Sequence, residues 1–333
     1  MKPVVLATLP LPEPFAETIG KIATLIVVGH IPSGEEWNSI INRYRPIVIC
    51  PQLRDNIDDN IVSLASPELR AICIYAVGYN SINTEACNRF KVAIGNTPEV
   101  LTDATADLAI ALMLAVGRRV CEGDRVVRKR EFRGWEPEYM LGQDMSGAKL
   151  GIIGYGRIGQ AVAQRALGFN MEVLVYKRDK KLPEQSNKIK IRQVDLNTLY
   201  QSCDYISLHV PLNDSTYHLI NNAALKQMKS TAILVNTSRG SVIDERALID
   251  ALKNNKIYGA GLDVYENEPD INPALLECRN VVLLPHIGSA TISTRRAMAK
   301  ITAENVILAL SGKTPKYCVN PSVWDHELPN LID

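Results

Sequence analysis

Three glycines lie directly after a buried apolar run, residues 150–153, and at the start of a helical segment. In this context the first glycine permits a tight turn, the second lets the backbone approach a pyrophosphate, and the third lets the helix pack closely on the strand. The free N–H groups of the helix start then bind the phosphates. The residues predicted to bind a dinucleotide in this way are Gly154, Gly156, Arg157, Ile158 and Gly159.

The next predicted strand, residues 172–176, ends in cations. An acidic residue about 20 positions after the glycine motif usually binds the ribose hydroxyls of NAD(H). Here the strand is followed by Lys177, Arg178, Asp179, Lys180 and Lys181. Cations at a strand end suit a ribose 2′-phosphate, so the sequence predicts that NADP(H) is preferred and leaves NAD(H) use open. The alternatives are a solvated charged turn, or a turn that brings Asp179 to the ribose.

The elements that must position these residues fall into two α/β series. Short β-branched runs separated by helix-length segments predict parallel strands joined by crossovers. In the first series the strands are predicted at residues 4–9, 25–28, 47–50, 71–74 and 92–94. In the second series six strands are predicted at residues 150–153, 172–176, 205–208, 232–236, 259–263 and 281–284. Helices are predicted at residues 103–119, 158–167, 245–254 with Asp244 as N-cap, and 292–310.

A proline break at residues 96–98 separates the two series. We therefore expect an α/β protein with two Rossmann-like, doubly wound parallel-sheet domains and a cleft between them. The predicted domains are a discontinuous substrate-binding domain, 1–100 plus 286–333, and an inserted dinucleotide-binding domain, 101–285.

Composition limits the classes of partner. The 333 residues carry a net charge of +1. This value is far below the strongly positive charge that is typical of nucleic-acid-binding proteins. No apolar run is long enough to span a membrane. The apolar stretch near the start of the sequence is too short, and is followed too closely by prolines, for a signal peptide. The seven cysteines have no metal or redox spacing, which favours reduced thiols in a cytoplasmic protein without a bound metal.

Four motifs occur in the order typical of one enzyme family. They are the glycine loop and residues 235–240, 260–269 and 284–290. Together they closely resemble the D-2-hydroxyacid dehydrogenases, over essentially the whole chain. Residues 75–79 and 96–107 are most similar to the glyoxylate/hydroxypyruvate reductases of that family. The resemblance implies an oxidoreductase that transfers a hydride between NAD(P)H and a small 2-oxo acid, giving glycolate or D-glycerate, and the reverse.

The family's catalytic residues map onto Arg239, Glu268 and His286. A guanidinium engages a carboxylate and a carbonyl together and keeps its charge. An imidazole both donates and accepts a proton near neutral pH, and a neighbouring carboxylate orients the ring and stabilises its charged form. These residue types therefore suit the reduction of a 2-oxo acid. Arg239 and His286 are also predicted to contact the substrate.

The resemblance assigns further contacts. Backbone amides of Val77 and Gly78 are expected to bind the substrate carboxylate. The additional cofactor contacts are expected at Thr105, His209, Pro211, Thr237, Asp263 (to the nicotinamide carboxamide) and Ser289. Residues 80–83 depart from the reductase pattern, which affects substrate preference and not the reaction class. The remaining histidines, His30, His218 and His326, are interpreted as structural.

Other functions remain open at this point. Phosphite dehydrogenase shares the glycine loop and catalytic residues, but it carries a lysine where this chain has Val77. Pyruvate and 2-ketogluconate are alternative substrates, and another D-2-hydroxyacid dehydrogenase activity is equally compatible. A protein of a different class, an NAD(H)-sensing, corepressor-like binding protein, is a further alternative. If the protein oxidises NAD(P)H when glyoxylate is added, this alternative is excluded.

The segment 119–141 interrupts the α/β pattern and contains Trp135 and Tyr139. Aromatic residues are enriched among interface anchors, so we expect a homodimer built through the cofactor domain and this segment. In the reductases that the chain resembles, an aromatic residue of this segment reaches the partner's active site. Either Trp135 or Tyr139 is a candidate for this role here. The alternative is an ordinary surface loop.

Overall fold

The computed structural model describes residues 2–178, 191–324 and 328–332. The chain divides into two compact units, Met1–Leu101 with Ala290–Asp333, and Thr102–Ser289. The second unit is thus an insertion within the first.

These units differ from the predicted domains at two boundaries. Leu101 belongs to the first unit because it packs, with Val100, against the apolar core of that unit. Residues 286–289 belong to the second unit rather than the first, because its buried Asp263 carboxylate accepts hydrogen bonds from the N–H groups of Ile287 and Gly288, both at 2.7 Å. Substrate binding by the first unit remains a prediction.

The first unit has one parallel sheet with the strand order β2-β1-β3-β4-β5 among its described residues. The strands are β1 (Val4–Ala7), β2 (Thr24–Val27), β3 (Val48–Cys50), β4 (Ala71–Cys73) and β5 (Ala93–Gly95). The helices are α1 (Phe15–Ile22), α2 (Gly34–Tyr44), α3 (Asp59–Ala65), α4 (Thr84–Arg89) and the returning α12 (Ile292–Leu310). Because side chains alternate along a strand, Val5 joins one buried core and Leu6 the other, so both faces are covered.

The second unit has a parallel sheet with the order β12-β11-β10-β9-β6-β7-β8 among its described residues. Its strands are β6 (Lys149–Ile153), β7 (Glu172–Tyr176), β8 (Ile191–Gln193), β9 (Tyr205–Leu208), β10 (Ile233–Asn236), β11 (Gly259–Leu262) and β12 (Val281–Leu283). Its helices are α5 (Thr102–Gly117), α6 (Val120–Arg128), α7 (Arg157–Leu167), α8 (Leu196–Ser202), α9 (Asn222–Gln227), α10 (Glu245–Lys253) and α11 (Pro273–Leu276). The strand order reverses between β6 and β9, which is where open α/β sheets bind their ligands.

The predicted α/β class with two doubly wound parallel sheets is confirmed. Asp244 is the N-cap of α10, since its carboxylate accepts the N–H of Ala247 at 3.1 Å. The prediction of six strands in the second series was wrong, because β8 pairs with β7 as a seventh strand in the described part of the chain. This strand, with the sequence Ile-Arg-Gln, lies at the sheet edge and is only partly buried. It therefore needs no apolar run, and the sequence pattern did not predict it.

The segment 119–141 contains a helix, α6, that the sequence analysis did not predict. No residue of α6 is buried. On the helix, the Val127 side chain is 61% exposed, and the apolar side chains that follow are exposed as well, with fractions of 55% for Phe132, 83% for Trp135 and 64% for Leu141. Helix α6 and the residues after it therefore have apolar side chains that no other described residue of the chain covers.

No helix in the described part of the chain is long and apolar enough to cross a membrane. Within the same residues, no group of three or more His, Cys, Asp or Glu side chains is arranged to hold a metal ion. All seven cysteines are free thiols, and Cys50, Cys73, Cys87 and Cys203 are buried.

Candidate active site

The turn after β6 requires glycine at its first position. Gly154 has φ +97°, and a Cβ there would lie 2.6 Å from the carbonyl carbon and oxygen of His209. The N–H of His209 in turn donates to the carbonyl of Ile153 at 2.8 Å. The glycine turn and the end of β9 are therefore in backbone contact at the point where the strand order reverses.

The start of α7 fits a pyrophosphate. Gly156 is the N-cap of this helix, where no side chain caps the free N–H groups and no acid lies in the first turn. A Cβ on Gly156 would meet no atom within 4 Å, so the backbone is open to a ligand there. A Cβ on Gly159 would lie 2.2 Å from the Gly154 carbonyl oxygen, which explains the third glycine. Residues Arg157 and Ile158 form the first turn, whose positive helix end attracts a phosphate.

Two cations follow β7, as predicted. Lys177 is partly buried and Arg178 is exposed. The Lys177 carbonyl accepts a hydrogen bond from the Gln193 side chain at 3.5 Å, which ties the strand end to β8. Asp179, Lys180, Lys181 and His326, which the sequence analysis discussed, lie outside the described residues.

The residue that follows β9 is a histidine whose burial favours the neutral ring. Burial lowers the pKa of His209 to about 4, and its Nε2 lies 2.9 Å from the hydroxyl of the buried Ser207. Pro211 is exposed, and its carbonyl accepts the Thr216 hydroxyl at 2.6 Å. His209 therefore adds no positive charge beside the glycine turn at neutral pH. Its backbone contact with Gly154 supports the predicted place of this segment near the cofactor.

A buried asparagine shapes the turn that carries Arg239. The Asn236 side chain donates to the Arg239 carbonyl at 2.8 Å and accepts the N–H and hydroxyl of Ser238 at 2.9 and 2.8 Å. Sequence analysis did not assign this role to Asn236, although an asparagine at a strand end is a common turn former. In the same turn, the Thr237 hydroxyl oxygen is buried and has no partner in the described residues, which leaves it able to bond a ligand.

The Arg239 side chain lies in a partly buried position, and one guanidinium nitrogen donates to the Ser238 carbonyl at 2.6 Å. Burial lowers the pKa of this guanidinium, while the charge of Glu268 raises it. Since a guanidinium keeps its proton in proteins, Arg239 remains a cation close enough to interact with Glu268. The turn thus presents a fixed positive charge next to a carboxylate.

Glu268 and His286 form a hydrogen-bonded pair. His286 Nδ1 lies 2.7 Å from Glu268 Oε2, and Glu268 Oε1 accepts the Tyr265 N–H at 3.1 Å. Burial raises the pKa of the Glu268 carboxyl, but the hydrogen bond and charge of His286, the Tyr265 N–H and the Arg239 charge bring it below its usual value. Because Nδ1 faces the carboxylate, Nε2 is the ring nitrogen directed away from Glu268. The structure therefore brings the three predicted catalytic residues together.

Asp263 and Thr105 hold the segment that follows His286. Both Asp263 carboxylate oxygens accept backbone N–H groups, from Ile287 and Gly288 at 2.7 Å each. The Thr105 hydroxyl donates to the Gly288 carbonyl at 3.1 Å. These side chains therefore position residues 286–288, and Ser289 comes next in the chain. Cofactor contacts by Asp263, Thr105 and Ser289 remain predictions.

The loop after β4 in the first unit has two available amides. Within the described residues, the N–H groups of Val77 and Gly78 donate to no protein acceptor. The Asn96 side chain donates to the Val77 carbonyl at 2.8 Å, and the buried Asn305 donates to the Asn96 carbonyl at 3.0 Å. Sequence analysis had placed Asn96 in a proline break and in a reductase-like motif, but had assigned it no contact. The loop is thus held by its carbonyl while its amides remain open to an anion.

The two doubly wound sheets, the glycine turn and the Arg239–Glu268–His286 group define an NAD(P)-dependent oxidoreductase. Residues 110–288 match the family model "D-isomer specific 2-hydroxyacid dehydrogenase, NAD binding domain". The glyoxylate reductase of Thermococcus litoralis is 45% identical over 334 aligned positions, which cover 99% of this chain and 100% of that protein. The chain therefore belongs to the D-isomer specific 2-hydroxyacid dehydrogenase family, as its motifs predicted.

Solved structures give the same relationship. The glyoxylate reductase of Paecilomyes thermophila superposes with a TM-score of 0.86 at 32% identity, over 96% of this chain and 99% of that one. The NADPH-dependent glyoxylate/hydroxypyruvate reductase of Sinorhizobium meliloti, in complex with NADP and malonate, superposes with a TM-score of 0.84 at 26% identity, over 98% and 99%.

Proposed function

We propose that this enzyme reduces glyoxylate and hydroxypyruvate to glycolate and D-glycerate, and that NADPH is its preferred cofactor. The observation that carries the proposal is the hydrogen bond of 2.7 Å between His286 Nδ1 and Glu268, beside the Arg239 cation. Similarity to glyoxylate reductases over nearly the whole chain supports the choice of substrate.

A nicotinamide cofactor held at the glycine turn and the start of α7 would supply the hydride that reduces the carbonyl carbon. His286 donates a proton from Nε2 to the developing alkoxide, and Glu268 stabilises the charged imidazole before that transfer. Arg239 binds the carbonyl oxygen and the carboxylate of the substrate and polarises the carbonyl. In the first unit, the amides of Val77 and Gly78 bind the substrate carboxylate.

A steady-state panel tests the substrate assignment. The purified protein is assayed with glyoxylate, hydroxypyruvate, pyruvate, 2-ketogluconate and phosphite, each with the nicotinamide cofactor in the required oxidation state. We expect the highest kcat/KM with glyoxylate or hydroxypyruvate. Phosphite should give no turnover, because Val77 offers no side-chain cation at the loop. A clear preference for pyruvate or 2-ketogluconate would overturn the substrate proposal, and absence of all turnover would favour an NAD(H)-sensing binding protein.

Cofactor preference gives the next prediction. Wild-type enzyme should show a higher kcat/KM with NADPH than with NADH, because Lys177 and Arg178 can bind the 2′-phosphate. Replacing the exposed Arg178 by alanine should lower kcat/KM for NADPH about tenfold, since a charged hydrogen bond contributes about 1.5–3 kcal/mol and solvent screening reduces it. NADH use should stay unchanged. Lys226→Ala, which removes an exposed cation from α9, is the matched control. Equal use of both cofactors by the wild type would contradict the preference.

Assembly is predicted from the uncovered surface of α6 and the residues after it. We propose a homodimer in which this surface meets a second copy of the chain, since apolar patches of this kind are typical of interfaces. Light scattering at micromolar concentration should give twice the chain mass of 36.8 kDa. Val127→Glu should yield monomers, because it buries a charge in the contact. Leu276→Glu, at a residue 58% exposed on α11, should leave the dimer intact. A monomeric wild type would refute this assembly.

A further inference from the structure

His218 connects two segments that carry proposed catalytic residues. It lies between β9 and α9, and its backbone N–H donates to the carbonyl of Ser241 at 2.8 Å, two residues after Arg239. Its Nε2 lies 2.5 Å from Glu266 Oε1, two residues before Glu268. One residue is thus bonded through its backbone to the Arg239 turn and through its ring to the Glu268 segment.

Glu266 has a second connection to the Arg239 side. Its Oε1 accepts the N–H of Glu245 at 3.4 Å, and its own N–H donates to Glu245 Oε2 at 3.4 Å. Glu245 is the first residue of α10, the helix that follows the Arg239 turn. Burial raises the pKa of the Glu245 carboxyl above its usual value, although the Glu266 N–H lowers it, and the Glu266 charge also raises it. The His218 ring faces Glu266 in this acidic pair, with exposed side-chain fractions of 30% for His218 and 22% for Glu266.

The two segments are also in direct backbone contact. A Cβ on Gly240 would lie 1.8 Å from the Tyr265 carbonyl carbon and 2.4 Å from the Glu266 nitrogen. Tyr265 in turn donates its N–H to Glu268. Any displacement of residues 265–266 is therefore transmitted both to Gly240, next to Arg239, and to Glu268.

We propose that His218 and Glu266 are positioning residues, which fix the Arg239 turn against the segment that carries Glu268. The inference rests on the proposed roles of Arg239 and Glu268, and it adds two residues that touch no reacting atom. Its physical basis is that a displacement of about 1 Å of a group that binds the reacting substrate can lower the rate about 100-fold.

The test compares His218→Phe with wild type. Phenylalanine keeps a ring that can stack on Tyr217, as the imidazole does at 4.0 Å between ring centroids, but it lacks the nitrogen that meets Glu266. We expect kcat/KM for glyoxylate to fall about 10- to 100-fold, with both a lower kcat and a higher KM. NADPH affinity, measured by fluorescence titration, should not change. Binding of oxamate, a carboxylate that is not reduced, should weaken in the enzyme–NADPH complex.

Two further variants separate positioning from simple loss of stability. His218→Gln retains a donor and should recover part of the activity and of the oxamate affinity. His30→Phe breaks an exposed His–Glu pair of 3.4 Å in the first unit and should leave both unchanged. A double-mutant cycle of His218→Phe with Glu266→Gln should show that the two losses are not additive.

The failures of the two proposals are distinguishable. If wild-type enzyme reduces glyoxylate but folded His218→Phe keeps wild-type kcat, KM and oxamate affinity, the positioning role is wrong and the proposed function stands. If the wild type does not reduce glyoxylate, the proposed function is wrong, and the oxamate affinity of His218→Phe, weakened or unchanged, still supports or overturns the positioning role. If His218→Phe lowers only the melting temperature, and kcat, KM and oxamate affinity per folded molecule stay unchanged, then the His218–Glu266 pair has a structural role only. That result overturns the inference.

Discussion

Replacing His286 by alanine is expected to lower kcat about 100- to 10,000-fold, the range typical of a general acid–base group. The reason is that Nδ1 is held 2.7 Å from Glu268, which leaves Nε2 as the nitrogen that can deliver a proton to substrate. Steady-state assays with glyoxylate measure this loss. NADPH affinity should persist, because the glycine turn and the start of α7 do not depend on the imidazole.

His30→Ala is the matched control, because this histidine is exposed and lies in the first unit outside the proposed machinery. It should retain wild-type kcat and KM. Near-normal turnover in His286→Ala, with NADPH still bound, would show that another group donates the proton. The assignment of Glu268 as the residue that stabilises the charged imidazole would then also fail.

Replacing Arg239 by alanine is expected to lower kcat/KM for glyoxylate at least about 100-fold, since each charged hydrogen bond contributes about 1.5–3 kcal/mol and two are lost. Both constants should change, with a higher KM and a lower kcat, because the cation binds the substrate and stabilises the developing negative charge. Arg239→Lys should restore only part of the activity, since an ammonium keeps the charge but lacks the planar fork.

Arg246→Ala provides the control, because Arg246 is an exposed arginine on α10, the helix that follows the Arg239 turn. It should behave as wild type. Oxamate binding to the enzyme–NADPH complex gives a second measure that does not depend on turnover, and it should weaken in Arg239→Ala. If only NADPH affinity fell and the glyoxylate KM stayed constant, Arg239 would be a cofactor contact instead of a substrate contact.

Much of the fold was predictable because its central strands are buried on both faces. Runs such as residues 172–176 and 205–208 are almost wholly apolar, and the predicted bounds match β7 and β9. Two of the elements that the sequence analysis did not place, β8 and α6, lack that signal. One is a polar edge strand, and the other has no residue buried within its own chain. The local pattern of apolar residues reflects which side chains are buried, so it does not predict elements that bury few side chains.

The resemblance of the motifs to one family gave the proposed roles of Arg239, Glu268 and His286, and the sequence by itself determined the glycine turn and the order of the motifs. The glycine turn and the motif order depend on residue types at short spacings, which can be read directly from the sequence. Only the tertiary structure decided what holds the three residues. Asn236 shapes the Arg239 turn, Asp263 binds the amides after His286, and His218 reaches Glu266 across 48 positions of sequence. Such contacts join residues that are distant along the chain, so no local pattern encodes them, and they exist only once the sheet has brought its strand ends to one edge.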